Sequence, residues 1–176
     1  EVRLFEYPHQ MSGGMRQRIV GAMAISCQPR LLIADEPTTA LDVTIQSQFI
    51  GLLKEIQRDL NVSMILVTHD LGIIAKICDR VVVMYAGKII ETATIRDIFN
   101  HPKHPYTRAL LDSLPKLEQN LRRLPTIQGQ PPDLAHLPVG CSFAPRCPEA
   151  MEKCLKEFPP EKNIDDQHSL SCWLTA

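Results

Sequence analysis

Apolar residues fall into short runs and one long periodic stretch. Leu31-Leu32-Ile33-Ala34 runs directly into Asp35-Glu36-Pro37. So short an apolar run, closed by a turn signal, reads as a fully buried strand of a parallel sheet. From Val43 to Leu60 the apolar positions Ile45, Phe49, Leu52, Leu53 and Ile56 recur at helical spacing, which predicts an amphipathic helix on the sheet, ended by Asn61. Val62 to Val67 is a second buried strand, followed by a helix over Leu71 to Cys78. Arg80 to Tyr85 and Lys88 to Glu91 read as two strands, with Ala86-Gly87 as the turn between them. Upstream, Ser12 is a good N-cap for a helix patterned on Ile19, Met23 and Ala24. The fold class is α/β.

Composition changes the picture after Asn100. Eleven of the 14 prolines lie between Pro102 and Pro160. A segment this rich in Pro is not expected to continue a sheet, so the predicted domains are 1–100 and an extension, 101–176. In the extension, Thr107 to Leu114 reads as a short helix and Leu114 to Pro138 as an extended connector packed along the domain surface. His101 and His104 have the spacing of a metal pair, but the neighbouring prolines favour an ordered turn. Net charge is −1, from 19 basic and 20 acidic residues, so no nucleic-acid or anionic-membrane surface is expected. No apolar run approaches the roughly 20 residues that span a bilayer. Glu1 to Tyr7 lacks signal-peptide features, and the chain is read as soluble and intracellular. It starts mid-pattern without Met and is expected to be part of a longer protein.

The candidate chemistry sits at the ends of these elements. In open α/β sheets ligands collect at the carboxyl ends of the strands, where Asp35 and Glu36 stand. Consecutive strand residues point to opposite faces, so one carboxylate can serve a metal ion and the other a proton or a water. Gly13 and Gly14, just after Ser12, would let a phosphate approach the exposed N–H groups and positive dipole of a helix start. The second strand leads to Thr68-His69-Asp70. Each feature alone has an ordinary reading: solvated acids, a capped helix, a structural histidine. Near the C-terminus Cys141, Cys147, Cys154 and Cys172 give C-x5-C-x6-C-x17-C in a segment too small for its own core. Clustered cysteines in an intracellular chain favour metal over disulfides. The zinc knuckle spacings C-x2-C and C-x4-C are missing, and Pro148 follows Cys147, so the pattern suits an iron–sulfur cluster better than zinc, which stays the alternative. Cys27 and Cys78 read as core residues.

Taken together, Met11-Ser12-Gly13-Gly14-Met15, Leu31 to Pro37, Thr39-Ala40-Leu41-Asp42 and His69 resemble the signature motif, Walker B, D-loop and switch histidine of ABC-type ATPases. Met15 departs from the Gln of many members but leaves the backbone donors in place. Tyr7-Pro8-His9, His104-Pro105-Tyr106-Thr107 and Gly140-Cys141-x-Phe143-x-x-Arg146-Cys147-Pro148 are similar to the ATPase subunits of oligopeptide and dipeptide importers, over essentially the whole chain. The resemblance implies a partial P-loop NTPase (RecA-like) core without its Walker A half, plus a Pro-rich extension with a four-cysteine metal module. It implies ATP and Mg²⁺ as ligands, with Asp35 holding Mg²⁺ through water, Glu36 as general base and His69 positioning the attacking water. Ser12, Gly13 and Gly14 would meet the γ-phosphate bound on a partner subunit, and Asp42 would couple the two sites. It further implies a [4Fe–4S] cluster on the four cysteines, with zinc as the alternative. Implied partners are a second ATPase subunit, two transmembrane permease subunits and an extracytoplasmic binding protein, at the cytoplasmic face of the membrane and without nucleic acid. Nickel or glutathione import in the same branch, or a DNA-repair ATPase, are the alternatives. No Gly-x-x-x-x-Gly-Lys-Ser/Thr occurs in the sequence. These 176 residues alone are therefore expected neither to bind ATP tightly nor to hydrolyse it, and saturable turnover by them would contradict this.

Overall fold

The computed structural model describes residues 5–39, 41–115 and 125–175. Ala40 of the D-loop-like motif and residues 116–124 of the expected connector lie outside these. The chain divides into two compact units, Glu1–Cys78 and Asp79–Ala176.

The first unit runs α1 (Gly13–Ile25), β1 (Leu31–Asp35), α2 (Val43–Leu60), β2 (Ser63–Val67) and α3 (Leu71–Ile77). Strands β1 and β2 are parallel, in register from Leu31↔Ser63 to Asp35↔Val67. Helix α2 has the bounds its periodicity predicts and stops at Asn61, whose φ of 49° breaks the helical path. Phe49, Ile50 and Leu53 on α2 pack with Ile73 of α3 against Leu32, Met64 and Leu66 of the sheet. The strands are not fully buried, contrary to the sequence reading. The alternate positions Leu31, Ile33, Ile65 and Val67 stay exposed, Ile33 by 63%. The physical reason is that this sheet has only two strands among the described residues, and the core forms on one of its faces. No residue of α1 is buried, so its apolar positions Ile19 and Met23 face outward. Cys27, read as core, is likewise exposed, in the turn after α1.

The second unit holds β3 (Arg80–Tyr85), β4 (Lys88–Thr94), α4 (Ile95–Asn100), α5 (Pro105–Asp112), a 3-10 turn over Ala144–Arg146, α6 (Glu152–Lys156), β5 (Lys162–Asn163) and β6 (Ser169–Leu170). Ala86 and Gly87 both take positive φ, 48° and 76°, as a two-residue hairpin turn requires. The antiparallel sheet has the order β3-β4-β6-β5, so the Pro-rich extension does continue a sheet. It does so through two-residue strands placed beyond Pro160, where no proline interrupts the pairing. The compact units therefore part after Cys78, whereas the composition breaks near residue 100.

Between β3 and β4 the register shifts: Val83 faces Glu91 and Met84 faces Ile89, leaving Ile90 as an extra residue. Such a bulge breaks the strict alternation of faces, and both Ile90 and Glu91 are buried. Helix α5 starts at Pro105 rather than Thr107, because proline fits a first helical position. His104 caps it, its Nδ1 accepting from the Tyr106 N–H at 3.0 Å. Burial pushes the His104 pKa down to about 4, so this ring is neutral while its Nδ1 serves the cap. Of the connector, the described part is held by Arg146, which donates to the carbonyls of Ile127 and Gln128 and to the Tyr85 hydroxyl.

Candidate functional site

The parallel pairing of β1 and β2 brings their carboxyl ends side by side, and the Glu36 N–H donates to the Val67 carbonyl at 2.8 Å, one residue past β1. Glu36 has φ 44°, a left-handed conformation that non-glycine residues adopt at a cost and that collects at functional sites. Its Oε1 lies 2.8 Å from His69 Nδ1, and the Thr39 hydroxyl donates to Oε2 at 3.0 Å. His69 stands between the end of β2 and a firmly capped helix. The Asp70 carboxylate accepts from the N–H groups of Gly72 and Ile73 and from the Gln46 amide of α2. Asp35 ends β1 with its side chain exposed.

The hydrogen bond to His69 holds the Glu36 pKa below the usual carboxylate value, and the same bond raises that of His69. Both groups are solvent-exposed, so the coupling bears on protonation state more than on stability. For His69, the contribution to stability is full below its unfolded pKa and is lost as pH rises through the raised folded value. For Glu36 it is present above its unfolded pKa and lost as pH falls through the lowered one. The charged pair thus persists between the lowered Glu36 pKa and the raised His69 pKa. An NMR titration of His69 is expected to show a midpoint above the ordinary imidazole value, returning to it in Glu36→Gln. An unchanged midpoint in the variant would remove the coupling.

A second set of residues lines an open groove of about 850 Å³ that includes Ser12, Gly13, Gly14, Arg18, Asp42 and Ile45. The Ser12 hydroxyl caps α1, accepting from the Met15 N–H at 3.3 Å. Gly14 sits where α1 meets α2: a Cβ there would come within 2.7 Å of Ile45 Cγ2. Asp42 caps α2 through the Ile45 N–H at 2.9 Å. Asp42→Ala is expected to cost about 1 kcal/mol of stability, the usual worth of such a cap, measured by denaturant unfolding.

In the second unit Cys141, Cys147, Cys154 and Cys172 line one small cavity of about 20 Å³, walled also by Phe143 and Trp173. The Cys141 N–H donates to the Cys154 carbonyl at 2.7 Å, fixing two of the four segments to each other. None of the described cysteines is joined in a disulfide. Burial raises the thiol pKa values of Cys141, Cys147 and Cys172. Among the described residues, no three His, Cys, Asp or Glu side chains are grouped so as to hold a metal ion. A four-cysteine metal module is therefore not part of what the fold displays, although the four thiols do meet at one cavity. His168 is absent from the cavity wall, because its Nε2 is committed to Glu91 at 2.8 Å. Glu91, wholly buried and hydrogen-bonded, is the site-adjacent residue that sequence reasoning missed. The bulge that turns it inward has no local sequence signal.

The family model described as ABC transporter matches residues 1–39, and that described as Oligopeptide/dipeptide transporter, C-terminal region, matches residues 90–154. The dipeptide transport ATP-binding protein DppD of Bacillus subtilis is 58% identical over 172 residues, covering 98% of this chain and 51% of its own length. The oligopeptide transport ATP-binding protein OppD of Haemophilus influenzae is 53% identical over 175 residues, covering 99% of this chain and 54% of its own length. The chain thus spans about half the length of these curated relatives. Among solved structures, cbiO1 from Clostridium perfringens, part of the ABC transporter complex cbiONQ, aligns with a TM-score of 0.50 and 35% identity over 53% of this chain and 37% of that one. By its motifs, its α/β unit and these relatives, the chain is similar over nearly its whole length to oligopeptide and dipeptide transport ATP-binding proteins.

Proposed function

We propose that the chain works in an ATP-hydrolysing subunit that energises import of oligopeptides or dipeptides through membrane permeases. The observation that carries this is the Glu36–His69 contact at 2.8 Å where two parallel strands end. In this reading Glu36 accepts the proton of a water attacking the γ-phosphorus as the bond to the β-phosphate oxygen breaks. His69 orients that water and holds Glu36 in place. The exposed end of β1 suits Asp35 to hold Mg²⁺ through water. The metal, when bound, supplies charge neutralisation on the transferring phosphoryl group. Ser12, Gly13 and Gly14 offer the N–H groups and dipole of a thirteen-residue helix to a γ-phosphate held by a second ATPase subunit. Asp42 lines the same groove and would link the two sites. No described helix is long and apolar enough to cross a membrane, which fits a peripheral place on permease subunits at the cytoplasmic face.

The four cysteines are assigned to a [4Fe–4S] cluster. Four thiols on one cavity fit the donor set. Tetrahedral zinc on the same four thiols is the alternative. The test is uptake of a labelled dipeptide, coupled to phosphate release, by the intact protein with its permeases, with iron and sulfide assayed on the anaerobic protein. Transport-independent chemistry, or zinc without iron, would overturn the respective assignment.

A further inference from the structure

The geometry points to Glu91 as the positioning residue that closes the cysteine cavity, an inference that rests on the cluster reading for its purpose but not for its test. Glu91 is 0% exposed and both its oxygens are engaged. Oε1 accepts from the Lys103 N–H at 2.7 Å and lies 2.8 Å from His168 Nε2, and Oε2 accepts from the His104 N–H at 3.0 Å. His104 lines the cavity itself, and His168 stands just ahead of the short strand that leads to Cys172.

One wall is the segment ahead of α5. His104 and Pro105 line the cavity directly, and Phe143, between Cys141 and Cys147, packs on the rings of His104 and Tyr106 with centroids 5.9 and 5.4 Å away. The other wall is the segment after β6, where Cys172, Trp173 and Leu174 line the cavity, and His168 immediately precedes β6. Apart from the Glu91 side chain, the backbone links of β6 and Ser171 to β4 among the described residues are the short pairing at Glu91↔Leu170 and Thr92↔Ser169 and the Ser171 N–H donating to the Ile90 carbonyl. Cys172 is 18 positions past Cys154. No long element carries it back to the other three, so a buried carboxyl group gripping both walls sets their spacing.

Glu91→Gln tests this without changing shape. An amide has one acceptor oxygen, so in either orientation its NH₂ faces a backbone N–H, the part-buried one of Lys103 or the buried one of His104. Leaving such a donor unsatisfied corresponds to a roughly 10- to 100-fold gain in local opening. In the metal-free intact protein, Cys141 and Cys154 are expected to react with a thiol reagent faster by that factor. Cys27, exposed already, keeps its rate, and amide exchange in α2 is unchanged. The anaerobic variant retains several-fold less iron than the parent. With Glu91 in place, His168→Gln, which can still donate to it, keeps labelling slow, whereas His168→Leu speeds it. Parent-like labelling in Glu91→Gln overturns the inference, as does acceleration that extends to α2 exchange, which would mean general destabilisation. If the parent protein binds no iron or sulfide, the cluster reading fails, and the labelling rates still decide the role of Glu91.

Discussion

Replacing Glu36 with glutamine is expected to slow ATP hydrolysis by the intact protein about 10²- to 10⁴-fold, the range over which a positioned general base acts. The substitution leaves the frame in place. The pairing to Val67 uses the backbone N–H of residue 36, and an amide oxygen still accepts from Thr39 or meets His69. What disappears is the capacity to take a proton from water. Nucleotide affinity is therefore expected to stay near that of the parent while phosphate release at saturating MgATP collapses. A variant that kept more than about a tenth of the rate would show that Glu36 is not the base.

The second large effect is expected at Gly140. A Cβ there would collide with the Cys154 carbonyl oxygen and stand 2.6 Å from the Leu155 carbonyl carbon, backbone atoms that no rotamer change can move. The same Cys154 oxygen accepts from the Cys141 N–H. Gly140→Ala must therefore separate the segments bearing Cys141 and Cys154, with an overpacking cost of about 1–3 kcal/mol. On the cluster reading, most of the iron is expected to be lost. Gly51→Ala makes the control, since Gly51 lies within α2 with nothing within 4 Å of the added atom. There alanine is expected to be neutral or to stabilise by roughly 0.5–1 kcal/mol. Iron content and denaturant midpoints measured on the two variants decide the matter. Parent-like values in Gly140→Ala would mean that the close approach is not needed.

Elements with a strong local period were legible from the residues alone. Val43–Leu60 came out at its observed bounds because one apolar stripe over five turns leaves no alternative element. The motifs at Ser12, Glu36 and His69 fall on a helix start and two strand ends, as their order along the chain required. Burial was less legible, since it depends on which surfaces meet. Leu31 and Ile33 read as interior and lie exposed, and Cys27 shares that fate. The pairing of β6 with β4 was illegible, because a two-residue strand has no period. So was the inward turn of Glu91, which arises from a bulge that shifts the alternation by one residue.

The pairing of Glu91 with Leu170 also fixes an order of events during synthesis. Some 80 residues separate the two, an interval of roughly 4–16 s at ordinary elongation rates. The β3–β4 hairpin can close at once, but Glu91 then waits in water for His168 to emerge. Cys141, Cys147 and Cys154 leave the ribosome in the same interval without their fourth companion. For the roughly 1–6 s before Cys172 follows, the nascent thiols are open to oxidants, so the reducing capacity around the ribosome, rather than the finished fold, protects them.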